Sequence, residues 1–200
     1  MIDLSKQWQY EKLDFKGCWH LAYYIPNKRG NGTLAGKMID FKDGDLKSIN
    51  SWSQWAGDEL SKLGIEFHYI IRALGSNELE PLKGKPCAIM GANLGKRLGA
   101  KYAPWLINKK RATKSLHTLK TYQERFDELH EVYIANDKGG EDLNNKNVLI
   151  IDDITTTNCT IAEMKRAIFE KWPEANLHLF CLGKTEYDQA SNDTISLKYF

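Results

Sequence analysis

Two adjacent carboxylates, Asp152 and Asp153, follow four large apolar residues and precede a hydroxyl-rich turn and a helix. The apolar run 148–151 predicts a buried parallel strand, and ligands of open α/β sheets bind beyond the carboxyl ends of such strands. The N-terminus of the following helix offers unpaired backbone N–H groups, which suit a phosphate. Segment 148–160 therefore predicts a site for a phosphorylated ligand.

The residue types in this segment indicate what that ligand is. Thr156, Thr157 and Thr160 add hydroxyl donors beside the predicted phosphate position. Asp152 and Asp153 suit hydrogen bonds from sugar hydroxyls, or Mg²⁺ held through water. Singly, such Asp and Thr residues more often end a strand or cap a helix. Between a buried strand and an amphipathic helix, the whole run describes a ribose 5-phosphate site.

The rest of the chain supplies the elements that must position this site. Strands are predicted over 67–74, 102–107, 131–134, 148–151 and 177–182, and helices over 88–98, 119–129 and 160–171. This alternation predicts an α/β fold, with a Rossmann-like, mostly parallel sheet flanked by helices.

Residues 1–64 differ in composition from residues 65–200, which predicts a small N-terminal subdomain, or hood, before the α/β core. The first part holds four of the six Trp, a turn cluster at 26–32, short strands and one helix near 49–63. Its aromatic side chains either form a small core or stack on a base or single-stranded nucleic acid.

Composition and charge exclude several classes of protein. The chain has 200 residues, 42% hydrophobic and 27% charged, which is typical of a globular domain. Its formal net charge of +2 gives no basis for a function carried by bulk charge. There is no apolar run of the ~20 residues that a membrane span needs, and no secretory signal pattern. We therefore expect a cytoplasmic protein without a membrane partner, and its four scattered Cys argue against disulfides or a zinc site.

Val148–Thr160 resembles the phosphoribosyl-pyrophosphate (PRPP) binding motif of the type I phosphoribosyltransferases. That motif has four apolar residues, two acids, an apolar residue and a Thr-rich turn ending in Thr. A weaker resemblance extends over 65–184. The resemblance implies the fold of that family, binding of PRPP with Mg²⁺, and transfer of the 5-phosphoribosyl group to a small nitrogenous base with release of pyrophosphate. The chain would then be a glycosyltransferase of nucleotide metabolism.

The resemblance also implies roles for individual residues. Asp152 and Asp153 would be the catalytic acids that hold the ribose 2- and 3-hydroxyls, and a metal through water or those hydroxyls. The loop around the 5-phosphate would consist of Thr156, Thr157, Asn158, Cys159 and Thr160.

Two further segments match the family's pyrophosphate end. Arg72 and Gly75 fall in the turn after the first core strand, where Gly75 lets the backbone approach an anion and Arg72 adds charge. Lys110 and Arg111 fall where the family has a loop that closes over pyrophosphate. An ordinary turn and a solvated basic loop are the plainer interpretations of these two segments.

Within the family, segments 41–44 and 121–125 resemble the competence-associated, ComF-like branch, without its zinc ribbon. Two positions depart from the family pattern. Asn158 stands where Gly is usual, although Asn tolerates left-handed backbone angles. Thr156 stands where purine-salvage enzymes carry an acid, which argues against a hypoxanthine/guanine-type enzyme.

These departures keep an alternative open, a catalytically silent PRPP-binding protein with a regulatory or DNA-linked role in competence or phage defence. An unrelated nucleotide-binding α/β protein has less support, because no P-loop and no GxGxxG after a strand is present. A homodimer is an expectation from the family alone.

Overall fold

The fold is built on a central sheet of six strands, seen in a computed structural model that describes residues 1–5, 7, 13–26, 33–187 and 199–200. Apart from Pro26, the turn cluster expected at 26–32 lies outside these residues. The strands are β1 (Ile2–Asp3), β2 (Gly17–Tyr24), β3 (Tyr69–Arg72), β4 (Lys101–Tyr102), β5 (Ile107–Lys109), β6 (Tyr133–Ala135), β7 (Asn147–Thr155) and β8 (Asn176–Thr185). The helices are α1 (Leu34–Lys42), α2 (Leu46–Ser61), α3 (Pro86–Leu98), α4 (Tyr122–Leu129) and α5 (Cys159–Lys171), with 3₁₀ turns at Pro104–Leu106 and Leu116–Thr118.

The strand order in the central sheet is β1-β2-β8-β7-β3-β4. All neighbours pair in parallel except β1 and β2, which are antiparallel. Helices cover both faces, so the predicted α/β fold with a mostly parallel sheet is confirmed. The predicted strand near 131–134 is present as β6, but it pairs with β5 in a separate antiparallel pair and does not join the central sheet.

Strand β7 is central because its apolar residues are buried on both faces. Val148 and Ile150 belong to the core under α4 and α5, whereas Leu149 and Ile151 belong to the core under α1, α2 and α3. A strand covered on both sides needs the unbroken apolar run that the sequence contains. Its carboxyl end therefore emerges between two helix layers, and this placement creates the cleft described below.

The N-terminal part of the chain is joined to this sheet. We expected short strands and one helix, but β2 is eight residues long and pairs in parallel with β8, and α1 precedes the expected helix. Thr33 caps α1 by accepting a hydrogen bond from the Gly36 N–H. This N-cap is a local signal for α1, although the neighbouring glycines disfavour a helix. The division between 1–64 and 65–200 stays a prediction.

The expected strand over 102–107 is wrong over most of its length. Strand β4 ends at Tyr102, and a 3₁₀ turn begins at Pro104. Proline has no N–H to donate to a neighbouring strand, so the ladder stops there. In the described part of the chain, none of the helices combines the length and the apolar character needed to cross a bilayer.

Candidate functional site

The two acids predicted from the sequence lie near the carboxyl end of β7. The Asp152 Oδ1 atom accepts a hydrogen bond from the Asp153 N–H at 2.9 Å, and the Asp153 Oδ1 atom accepts one from the Ile154 N–H at 2.5 Å. One oxygen of each carboxylate is thus bound by the backbone, which fixes the orientation of both side chains.

A lysine from helix α1 lies over this acid pair. The Lys42 Nζ atom is 3.4 Å from the Asp153 Oδ2 atom. Burial opposes the charge of Lys42, but the two carboxylates outweigh it and raise the lysine pKa. Burial also raises the pKa of Asp152 to about 7, and the neighbouring Asp153 charge adds to this effect. A carboxyl group with such a shift in a cleft is a candidate functional group.

The turn after β7 contains one residue in the left-handed backbone region. Asn158 has φ of 60° and ψ of 9°, a left-handed conformation that Asn tolerates better than other side chains do. Its Oδ1 atom accepts a hydrogen bond from the Thr155 hydroxyl and does not cap the helix. The first turn of α5 therefore has no side-chain cap, and its N–H groups are available to an anion.

The other predicted loop residues surround this helix end. The Thr156 hydroxyl lies 2.8 Å from the hydroxyl of Thr185 on β8. Cys159 is buried, with its Sγ atom 3.9 Å from the Thr157 carbonyl oxygen. A cavity of about 660 Å³ lies over the turn and is lined by all five predicted loop residues, by Asp152 and by Lys42.

A second cavity of about 410 Å³ adjoins the first on the side of β3. The two share several lining residues, namely Lys42, Leu116, Asp152, Ile154 and Thr160. They form one cleft with Asp152 at its middle. Its two ends, called here the α5 end and the β3 end, are the 660 Å³ and the 410 Å³ cavity.

Arg72 and Gly75 both line the β3 end, but the charge of Arg72 is already paired. Its guanidinium donates to both carboxylate oxygens of Glu78, at 3.0 and 2.5 Å. Both side chains are buried. Burial alone would raise the pKa of Glu78, but the hydrogen bonds and charge of the Arg72 guanidinium, with two backbone N–H groups, outweigh it and lower the pKa to about 2. Arg72 therefore differs from the free cation expected beside a pyrophosphate.

Lys110 and Arg111 are not among the residues that line the two cavities. Both side chains are exposed, and the Arg111 guanidinium donates to the Glu128 carboxylate at 3.0 Å and to its carbonyl oxygen at 2.7 Å. The structure does not bring these two residues to the acid pair. The same part of the chain instead contributes Ser115, Leu116 and Arg125 to the α5 end.

Sequence reasoning missed several residues of the cleft. Lys42 and Arg125 lie in the two short segments that resemble the ComF-like branch, but neither was assigned a role. Tyr24, Pro26 and Thr185 also line the α5 end. Thr185 follows the predicted strand 177–182, and this position was a signal for it, since the carboxyl ends of such strands face ligands.

Only comparison with solved structures finds proteins that are similar to this chain. No family model and no curated protein matches the chain. A hypoxanthine phosphoribosyltransferase from Staphylococcus aureus is 16% identical with a TM-score of 0.43, over 70% of this chain and 73% of that one. An adenine phosphoribosyltransferase is 19% identical with a TM-score of 0.38, over 67% of each chain.

A purine phosphoribosyltransferase from Pyrococcus horikoshii is 16% identical with a TM-score of 0.35, over 74% of this chain and 92% of that one. At this level the likeness concerns the general α/β architecture.

Proposed function

We propose that the cleft binds PRPP and that the chain is a phosphoribosyltransferase acting on a small nitrogenous base. One observation carries this proposal. Asp152 and the uncapped first turn of α5 line the same cavity, and Asp153 lines the adjoining β3 end of the cleft. A diol acceptor beside a phosphate site matches a 5-phosphorylated ribose.

The roles of the residues follow from their positions. The first N–H groups of α5 and the hydroxyls of Thr156, Thr157 and Thr160 would hold the 5-phosphate. Asp152 and Asp153 would accept hydrogen bonds from the ribose hydroxyls through their second carboxylate oxygens, of which Asp153 Oδ2 also lies 3.4 Å from the Lys42 Nζ atom. Both groups belong to one strand-turn-helix unit, so the distance between them is set by the backbone.

The acid pair also suits Mg²⁺. The described residues contain no cluster of three or more His, Cys, Asp or Glu side chains that would enclose a metal. Mg²⁺ usually keeps several waters and binds through one or two carboxylates and substrate phosphates, a need that Asp152 and Asp153 meet. The ion would supply positive charge to the ligand's phosphate oxygens.

In the transfer, the C1–O bond to pyrophosphate breaks, a C1–N bond to the base forms, and the base N–H proton is released. The chain contributes position and charge, because this reaction needs no covalent participation by a side chain. Lys42 lies where it would balance negative charge near the acid pair. Tyr24, Pro26 and Tyr187 at the α5 end offer apolar surface to a flat base.

A second candidate function is PRPP binding without transfer, in a regulatory or DNA-linked role. The Arg72–Glu78 pair favours it, because the guanidinium at the β3 end is neutralised by a side chain of the same protein. Free cations near a departing pyrophosphate would favour the transferase.

Calorimetric titration of PRPP with Mg²⁺ into the wild type and into Asp152→Asn/Asp153→Asn tests the site. We expect binding to the wild type and none to the double variant. Pyrophosphate release in the presence of single bases then separates the two functions. The absence of PRPP binding at millimolar concentration would contradict both.

A further inference from the structure

The turn after β3 contains a set of hydrogen-bond donors that converge on one carboxylate. Glu78 accepts from the Gly75 N–H at 2.6 Å and from the Leu82 N–H at 3.1 Å. It also accepts from both terminal nitrogens of Arg72. Two backbone N–H groups and a guanidinium fork are the donors with which proteins bind phosphates and carboxylates. The turn is therefore an anion site, and Glu78 fills it.

This filled site faces the cleft. Arg72, Gly75 and Glu78 all line the β3 end, which Asp152 joins to the α5 end. The carboxylate leaves no spare room in the turn, since a Cβ atom on Gly75 would lie 3.0 Å from a Glu78 oxygen. Glu78 and Arg72 are 4% and 2% exposed, so an incoming anion meets a closed turn.

The two ends of the cleft differ in charge. The charged residues that line the β3 end are three cations and three acids, namely Lys42, Arg72, Lys85, Glu78, Asp152 and Asp153. Those at the α5 end are Lys42, Arg125 and Asp152, in addition to the N-terminus of α5. A phosphate thus finds excess positive charge at the α5 end and balanced charge at the β3 end.

We propose that Glu78 is a specificity-determining residue that occupies the second anion position of the cleft, so that a diphosphate on the ribose adds no affinity over a single 5-phosphate. The proposal rests on the ribose 5-phosphate site proposed above. A ligand with a diphosphate must displace the carboxylate before the turn can accept it. Removal of the carboxylate frees four donors for that anion.

Calorimetric titrations with ribose 5-phosphate, PRPP and inorganic pyrophosphate test this. We expect the wild type to bind the first two with dissociation constants within about threefold and to bind pyrophosphate weakly. Glu78→Ala should bind PRPP at least about tenfold more tightly than the wild type and gain pyrophosphate binding, with its ribose 5-phosphate affinity unchanged. Glu80→Ala is the matched control, because the Glu80 side chain is 72% exposed and lies 4.0 Å from its ionic partner.

Loss of Glu78 leaves Arg72 buried without its partner, so Glu78→Ala should also have a lower melting temperature. Pyrophosphate should raise the melting temperature of Glu78→Ala part of the way back to the wild-type value. It should leave the melting temperatures of the wild type and of Glu80→Ala unchanged. If Glu78→Ala does not fold, the wild type alone tests the proposal, through the ratio of its dissociation constants for PRPP and ribose 5-phosphate.

A wild-type preference for PRPP above tenfold, or a folded Glu78→Ala that gains no pyrophosphate binding, would overturn the inference. If neither sugar phosphate binds the wild type, the proposed function fails. The pyrophosphate rescue of Glu78→Ala then still tests the anion turn separately.

Discussion

The Lys42 Nζ atom lies 3.4 Å from the Asp153 Oδ2 atom and links the last turn of α1 to the acid pair on β7. The contact joins residues 111 positions apart in the chain. It gives the N-terminal part of the protein a direct electrostatic influence on the predicted ribose site. Both side chains are partly exposed, at 42% and 28%, so a ligand can reach them.

Replacement of this lysine should weaken ligand binding. In Lys42→Met the two carboxylates lose the positive charge that offsets their mutual repulsion, so the pKa of Asp152 should rise further. We expect a loss of about 2–5-fold in ribose 5-phosphate affinity at pH 7.5, as fits a partly exposed ion pair. Calorimetry measures it, with Lys47→Met, exposed on α2, as the control. Equal affinities in the two variants would contradict the role of Lys42.

Asp152→Asn should bind ligand worse and yet be more stable. A charge-assisted hydrogen bond contributes about 1.5–3 kcal/mol, so we expect roughly a 10–100-fold loss of affinity. At neutral pH burial and the Asp153 charge disfavour the ionised form of Asp152, which lowers the free energy of unfolding. The uncharged amide of Asn at this position avoids that loss of stability. Thermal unfolding at pH 8 should show a melting temperature higher by about 2–4 °C, which corresponds to a gain of roughly 1 kcal/mol in the free energy of unfolding. Asp127→Asn on the exposed face of α4 should change neither quantity.

Ligand affinity should depend on pH near neutrality. The pKa of Asp152 is raised to about 7, and in the proposed site its ionised form would accept a hydrogen bond from a sugar hydroxyl. Affinity should therefore be constant above about pH 8 and fall by up to about tenfold per unit below pH 7. Calorimetry from pH 5.5 to 8.5 measures this. Asp152→Asn should give a shallower profile, set by the ligand's own phosphate with its pKa of about 6. A slope in that variant equal to the wild-type slope would assign the titration to another group.

The same shift predicts how stability depends on pH. Because the folded protein holds the Asp152 proton more tightly than the unfolded chain, this group favours the folded state at low pH. Its contribution is lost as pH rises from about 4 to about 7. Denaturant unfolding of the wild type and Asp152→Asn should therefore give free energies that diverge with rising pH, with the variant the more stable above pH 7.

Asn158 should tolerate glycine better than alanine. Its φ of 60° costs an ordinary side chain about 1–2 kcal/mol, which glycine avoids. We expect Asn158→Gly to keep phosphate affinity within about threefold and Asn158→Ala to lose about 1–2 kcal/mol of stability. Asn145→Ala is the control, since Asn145 has φ of 58° outside the cleft. It should lose stability without losing ligand affinity.

Much of the local structure around the cleft was predictable from sequence. The run 148–151 predicted β7, and the residues after it predicted a turn and a helix. These features depend on neighbouring residues and on burial patterns with short periods, so a single sequence contains them. The left-handed turn at Asn158 was predictable for the same reason, because it depends on one residue's own backbone preference.

The positions of the charges were not predictable in this way. The sequence determined an α/β fold in which an acid pair at a strand end is followed by a hydroxyl-rich turn and a helix. Tertiary structure alone decided that Lys42 lies over those acids, that Arg111 points to Glu128, and that Arg72 is neutralised by Glu78. Long charged side chains have little conformational preference of their own, and each pair forms where folding places an opposite charge within reach. The cleft's chemistry therefore depends on contacts between segments that the local sequence does not encode.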